Sequence, residues 1–273
     1  MGPALNSLRS IRRLADRTPA TLAVVGALGM VALVAPTVIS VVPLVGWILG
    51  IPVLAFGLGA AYAVADHGLS TRSLSTEVGV NLIRDRWLSL LGAYALLVVL
   101  WLAAFFVLFA LMVVLVIAGT LVSSTVALPE IATAATFGLL LVLFGGVYFC
   151  CAMVAQFLFP AVAVKGDPAI DAVKVAIHVV RDAPVSVAGF TVIRVVLEYG
   201  LIVVGLAVIA GVGALGPVIT DLLGGSADLG FLVEAVDIVG FLVILAVLLG
   251  SVAVGQALRI TYTTAFFTGE IRS

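Results

Sequence analysis

Charge is what this sequence has least of. Asp, Glu, Lys and Arg make up 10% of its 273 residues, where a soluble domain carries about 25%. None occurs in residues 18–65, 87–129, 131–164, 199–220 or 238–258. A charge at the bilayer centre costs about 2.5–3.5 kcal/mol on insertion scales, so charge-free runs of this length belong in lipid. No remaining stretch is polar enough to form a soluble domain of its own. The net charge of −1 removes the electrostatic case for nucleic acid as a partner. Cysteine is nearly absent too. Cys150 and Cys151 are adjacent inside an apolar run, too close for an ordinary disulfide, and read as small packing residues. His67 and His178 are the only histidines, each beside charged residues in a polar segment, which argues against a metal site. No cofactor is expected. The chain has no G-x-S-x-G, no H-E-x-x-H and no paired intramembrane Asp motif, which argues against an intramembrane hydrolase.

What is present is six apolar stretches of spanning length. A helix crosses the hydrocarbon core in about 20 residues, so the run 18–65 holds two spans, broken near Pro43 to Gly46. The expected spans are 20–42, 46–65, 88–118, 132–160, 184–210 and 236–264. A small-polar stretch from Thr120 to Thr125, then Pro129 and Glu130, separates the third from the fourth. A Gly-rich acidic loop separates the fifth from the sixth. The fold class is all-α, a polytopic membrane protein of six helices in three hairpins. Gly46 with Gly50 forms a G-x-x-x-G, and Ser251 with Gly255 is a looser small-residue pair. Such spacing reports close helix packing.

The basic residues are one-sided. Arg9, Arg12, Arg13 and Arg17 precede the first span, and Arg72, Arg84 and Arg86 lie between the second and third. Lys165, Lys174 and Arg181 lie between the fourth and fifth, and Arg272 ends the chain. The opposite loops carry only Glu130, Asp221, Asp228, Glu234 and Asp237. The positive-inside rule places both termini in the cytoplasm of a plasma-membrane protein, with external loops near 43–46, 119–131 and 211–235.

The polar segments have a pattern of their own. After Asp167 as N-cap and Pro168 at the first helical position, apolar Ile170, Val173, Ile177 and Val180 alternate with polar Asp171, Lys174, His178 and Arg181. That predicts an amphipathic helix over 168–182 lying on the cytoplasmic interface. Glu77, Asn81, Arg84 and Asp85 repeat the polar spacing and predict a second such helix over 73–86, and Arg9, Arg13 and Asp16 form a weaker copy. The chain therefore reads as one transmembrane domain, 1–273, with repeat units of about 5–66, 70–165 and 167–267.

The stretch Phe159-Pro160-Ala161-Val162-Ala163-Val164-Lys165-Gly166-Asp167-Pro168-Ala169-Ile170-Asp171-Ala172-Val173-Lys174, with Arg181-Asp182 before the next span, resembles the cytoplasmic signature of a broad group of six-helix membrane domains. That group includes the membrane domain fused to some bacterial glycerophosphodiester phosphodiesterases and uncharacterised archaeal, especially haloarchaeal, membrane proteins. Residues 259–267, Arg-Ile-Thr-Tyr-Thr-Thr-Ala-Phe-Phe, fit its closing span. The resemblance implies a six-span membrane fold and carries no activity with it. Without the fused catalytic barrel, phosphodiesterase activity is not implied.

Arg194 and Glu198 are the strongest functional candidates. They lie about 15–20 Å into the fifth span at 1.5 Å per residue, and their i, i+4 spacing puts them on one face, where they can neutralise each other. Gln256 and Arg259 on the last span fall at a similar depth, with Tyr199 and Tyr262 as candidate hydroxyl donors. Intramembrane charge is by default a functional signal, but a polar clamp joining the two spans explains the same residues. Three functions remain open. The leading one is a non-catalytic accessory or assembly module, and the next a small transporter or channel using the Arg194, Glu198 and Arg259 cluster. The third is a lipid-modifying enzyme. The partners expected are membrane lipids and another membrane protein or a second copy of the chain.

Overall fold

The computed structural model describes residues 2–41, 45–123, 129–211 and 238–272, and among these every regular element is helical. The elements are α1 (Gly2–Arg17), α2 (Pro19–Ile39), α3 (Val45–Thr71), α4 (Glu77–Ser123), α5 (Pro129–Pro160), α6 (Ala169–Asp182), α7 (Pro184–Gly211) and α8 (Ile238–Arg272). Six of them, α2, α3, α4, α5, α7 and α8, contain stretches long and apolar enough to cross a membrane. The protein is an all-α polytopic membrane protein. The loop residues 43–44, 124–128 and 212–235, which carry most of the expected external connections, lie outside the described residues. Helix α4 continues through Thr120 to Ser123, beyond the expected end of its span at 118.

Three short amphipathic segments accompany the spans. α1 buries Ala4, Ile11 and Leu14 while Arg9, Arg12, Arg13 and Arg17 stay exposed. The second begins at Glu77 rather than at 73 and is continuous with a span. The chain turns between the two at Arg86, whose backbone (φ −133°, ψ 22°) leaves the helical region. α6 begins one residue later than expected, because Pro168 is extended (φ −60°, ψ 154°) and sits at the cap, not inside the first turn. Asp167 does not cap it; its carboxylate lies 3.3 Å from the Lys165 ammonium. The face of α6 against the bundle is Ala172, Ala176 and Val179, small enough for close packing, whereas Ile170 and Ile177 remain exposed. An amphipathic helix on a membrane surface needs both, a face toward protein and an apolar edge toward lipid. His178 belongs to the third, solvated face, where its Nε2 lies 2.9 Å from Asp182.

Between α5 and α6 the chain widens into a π-helical turn, Ala161–Lys165. Pro160 has no N–H to offer the carbonyl one turn back, so the regular ladder lapses there. Gly166 then ends the turn in the left-handed region (φ 79°), and the Arg86 guanidinium lies 3.0 Å from where a side chain at 166 would begin. The kink in α4 and the exit from α5 are thereby packed together.

In the membrane-spanning part α2 packs along α3, α4 along α5, and α7 along α8. α8 also packs on α2 and α3, which joins the first and last of these pairs into one bundle. Its centre is aromatic: Phe190 stacks on Tyr262 at 4.7 Å and on Phe266 at 4.3 Å, and Phe157 stacks on Phe190 at 5.6 Å. The α4–α5 pair behaves differently. Only 6% of the most apolar stretch of either helix is buried, against 11% in α7 and 56% in α3, although α4 packs along α3 near Leu90 and α5 enters the aromatic centre through Phe157.

Candidate functional site

The i, i+4 spacing of Arg194 and Glu198 on α7 does bring them together, with Nη2 of the arginine 3.4 Å from Oε2 of the carboxylate. The other carboxylate oxygen is taken by α8, where Arg259 Nη1 donates at 3.3 Å and Gln256 Nε2 at 3.4 Å. Glu198 is therefore a shared acceptor that ties two helices. The side chains of Arg194, Glu198 and Arg259 are 16%, 12% and 11% exposed, so the cluster faces the bundle and not the lipid. The Arg194–Glu198 pair expected from sequence is built, and Arg259 and Gln256 join it as expected. Two guanidiniums face one carboxylate, which leaves the cluster with an excess positive charge.

A third helix joins through residues that the charge map does not register. Arg194 Nη1 donates to Gln156 Oε1 on α5 at 3.1 Å, and Gln156 Nε2 donates to the Thr191 hydroxyl on α7 at 2.9 Å. Thr191 in turn donates to the Val187 carbonyl at 2.8 Å. Gln156 and Thr191 are both buried. Gln156 is the one side-chain amide in the charge-free run 131–164, and a buried amide costs free energy unless paired. That cost was the available signal.

The two tyrosines do not join the network. Tyr199 follows Glu198 by one residue, a rotation of about 100° on a helix of 3.6 residues per turn, and it is 53% exposed on the outside of the bundle. Tyr262 is fully buried, but its ring is held in the Phe190 stack and its hydroxyl has no hydrogen-bond partner. The expected hydroxyl donors are replaced by amide and guanidinium groups.

The backbone explains how α7 and α8 come close enough. A side chain at Gly255 would begin 3.0 Å from the Glu198 carbonyl oxygen, and one at Gly205 would begin 2.5 Å from the Ser251 hydroxyl. The small pair Ser251 and Gly255 thus marks a real crossing, and it sits at the level of the shared carboxylate. The first G-x-x-x-G works in a different contact, with Gly50 facing Pro36 on α2.

Chemically, the cluster offers charge-assisted donors and one carboxylate already engaged on both oxygens. Among the described residues no group of three or more His, Cys, Asp or Glu side chains is placed to hold a metal ion. A family model described as a domain of unknown function, DUF7847, matches residues 3–269. The chain belongs to this family. In DUF7847 terms, the match takes in all six spans and the whole polar cluster. No curated protein and no solved structure matches the chain.

Proposed function

We propose that this DUF7847 chain is a non-catalytic accessory or assembly module of the plasma membrane, with both termini cytoplasmic. The observation that carries the reading is the exposed stretch of α5 around residues 138–146, which presents three glycines with nothing packed on them. Gly138, Gly145 and Gly146 share one side of α5, and nothing lies within 4 Å of a side chain built at any of them. In lipid, helices associate where small residues let backbones approach, so such a face fits a second membrane protein or a second copy of this chain. The polar cluster agrees with the reading, because both oxygens of Glu198 and both polar ends of Gln156 are engaged in joining α5, α7 and α8. A photo-crosslinking amino acid in place of Val142, which lies on the same side of α5, is expected to give a discrete protein adduct in intact membranes. Adducts to lipid alone would sink the reading. A cysteine at Ser73, in a background lacking Cys150 and Cys151, should resist an impermeant reagent added to intact cells; labelling there would invert the orientation.

One observation favours the runner-up, a small transporter or channel. The excess positive charge of the cluster, with Nε of both Arg194 and Arg259 lacking an acceptor, suits an anion passing through the bundle. Chloride flux in proteoliposomes that disappears in Arg259→Gln while the variant keeps its fold would establish that reading instead.

A further inference from the structure

A second polar site, sharing no residue with the clamp and independent of its interpretation, opens where α1, the end of α3 and the end of α8 meet. It is a cavity of about 280 Å³. Arg13 and Arg17 of α1 line it with Arg72 just past α3, and Asp66 is the one carboxylate among the described lining residues. Three guanidiniums against one carboxylate make the cavity net positive whatever Asp66 pairs with. The hydroxyls in the wall give their protons to backbone carbonyls. Ser10 donates to the Asn6 carbonyl, Thr18 to Leu14, Ser70 to His67 and Thr268 to Thr264, each within or at the end of its own helix.

Thr18, the N-cap residue of α2, also lines the cavity, with its hydroxyl turned back to the Leu14 carbonyl instead of capping α2. Behind the wall, the Thr21 hydroxyl in the first turn of α2 is buried without a partner, 3.4 Å from where a side chain at Gly68 would begin. Arg72 reaches the cavity from a left-handed backbone (φ 59°), a conformation that costs a non-glycine residue about 1–2 kcal/mol. Its amide is fixed by a 3.1 Å bond to the Gly68 carbonyl. Arginine is the side chain suited to phosphate, since its planar fork of donors matches two phosphate oxygens at once.

We infer that this cavity is a binding site for a phosphate group at the membrane surface, carried by an anionic lipid headgroup or free as inorganic phosphate. The site is concave and built from three separate parts of the chain, which distinguishes it from the diffuse attraction that any basic segment has for anionic lipid. Exposed apolar residues of the neighbouring α1, such as Leu5, are available to the acyl region beside it.

The test uses the full-length chain in nanodiscs and follows its melting temperature. Discs of phosphatidylcholine with one-fifth phosphatidylglycerol are compared with pure phosphatidylcholine discs, and millimolar inorganic phosphate is titrated into the latter. Wild type is expected to melt several degrees higher with phosphatidylglycerol. The variant Arg13→Gln/Arg17→Gln/Arg72→Gln should lose most of that shift. A control, Arg9→Gln/Arg12→Gln/Arg84→Gln, removes as much charge from segments outside the cavity and should keep it. Phosphate alone reproducing the shift, with the same dependence on the three cavity arginines, assigns the free anion; a shift with phosphatidylglycerol only assigns the headgroup. Equal loss in both triple variants, or loss in neither, overturns the site. Should the cavity triple variant fail to fold, the single changes Arg17→Gln and Arg72→Gln carry the same comparison against Arg9→Gln and Arg84→Gln.

Discussion

Glu198→Ala is expected to destabilise the protein more than removal of either arginine it binds, by about 3–5 kcal/mol, the usual consequence of stranding buried charge. The reason is the shared carboxylate. Without Glu198, Arg194 and Arg259 lose the carboxylate they share and are left as two like charges inside the bundle. Guanidinium does not shed its proton to escape the cost. Removing one arginine has a different balance, because Glu198 keeps the other and the cluster becomes neutral. Arg194→Leu should therefore cost nearer the roughly 0.6–1.7 kcal/mol measured for hydrogen bonds between membrane helices, with the orphaned Gln156 amide as part of the loss. The same asymmetry decides multiple changes. The pair Arg194→Leu with Glu198→Leu still leaves Arg259 unpaired, and only the triple change that adds Arg259→Leu removes every charge from the interface, leaving Gln156, Thr191 and Gln256 as its polar groups. Denaturation in mild detergent should rank the triple variant above Glu198→Ala. A triple variant that folds no better than Glu198→Ala would show that the cluster contributes more than charge balance.

Gly255→Val is the second large expectation. A β-carbon there would meet the Glu198 carbonyl oxygen at 3.0 Å, and that oxygen belongs to helix backbone, so it yields only if α7 shifts as a unit. Overpacking of this kind costs about 1–3 kcal/mol. The shift would also lengthen the Arg259 and Gln256 bonds to Glu198, which already stand at 3.3 and 3.4 Å. A compensating reduction on the facing helix is not available, because the obstacle is a main-chain atom. The variant should therefore show both a lowered melting temperature and faster proteolysis. Wild-type values for both would mean that the helices cross less closely than 3.0 Å implies.

The spans were legible because lipid forbids charge, and charge is simple to map. Where α4 and α5 would sit was not. A soluble helix shows its buried side by apolar periodicity, but a helix in lipid is apolar on every side, and nothing in Leu-Val-Val-Leu or Phe-Gly-Gly-Val distinguishes a partner from a fatty acid. The amphipathic helices were legible for the opposite reason, since their polar face breaks the symmetry. Their starts moved, by one residue at the extended Pro168 and from 73 to Glu77, while Arg86 ends the second where the sequence places it.

The polar cluster was half legible. Thr191, Arg194 and Glu198 follow one another at spacings of 3 and 4, the rows that share a helix face, and the same periodicity excludes Tyr199. Gln256 and Arg259 obey it on α8. Gln156 escaped because a lone amide leaves a charge map unchanged, although it bridges α5 to α7. Tyr262 has the right spacing from Arg259 but belongs to the aromatic stack one turn along, and sequence spacing carries no information on which neighbour a ring prefers.

The account turns on the cluster being a clamp packed inside the bundle. The direct measurement is the reactivity of a cysteine at Gln256, which is 3% exposed beside Glu198, in a chain whose Cys150 and Cys151 are replaced by alanine. A small charged thiol reagent applied from either side of sealed proteoliposomes should leave that cysteine unmodified, while the same reagent reacts once the protein is unfolded. Rapid modification from one side in the folded protein would mean that water reaches the cluster, and would contradict the clamp.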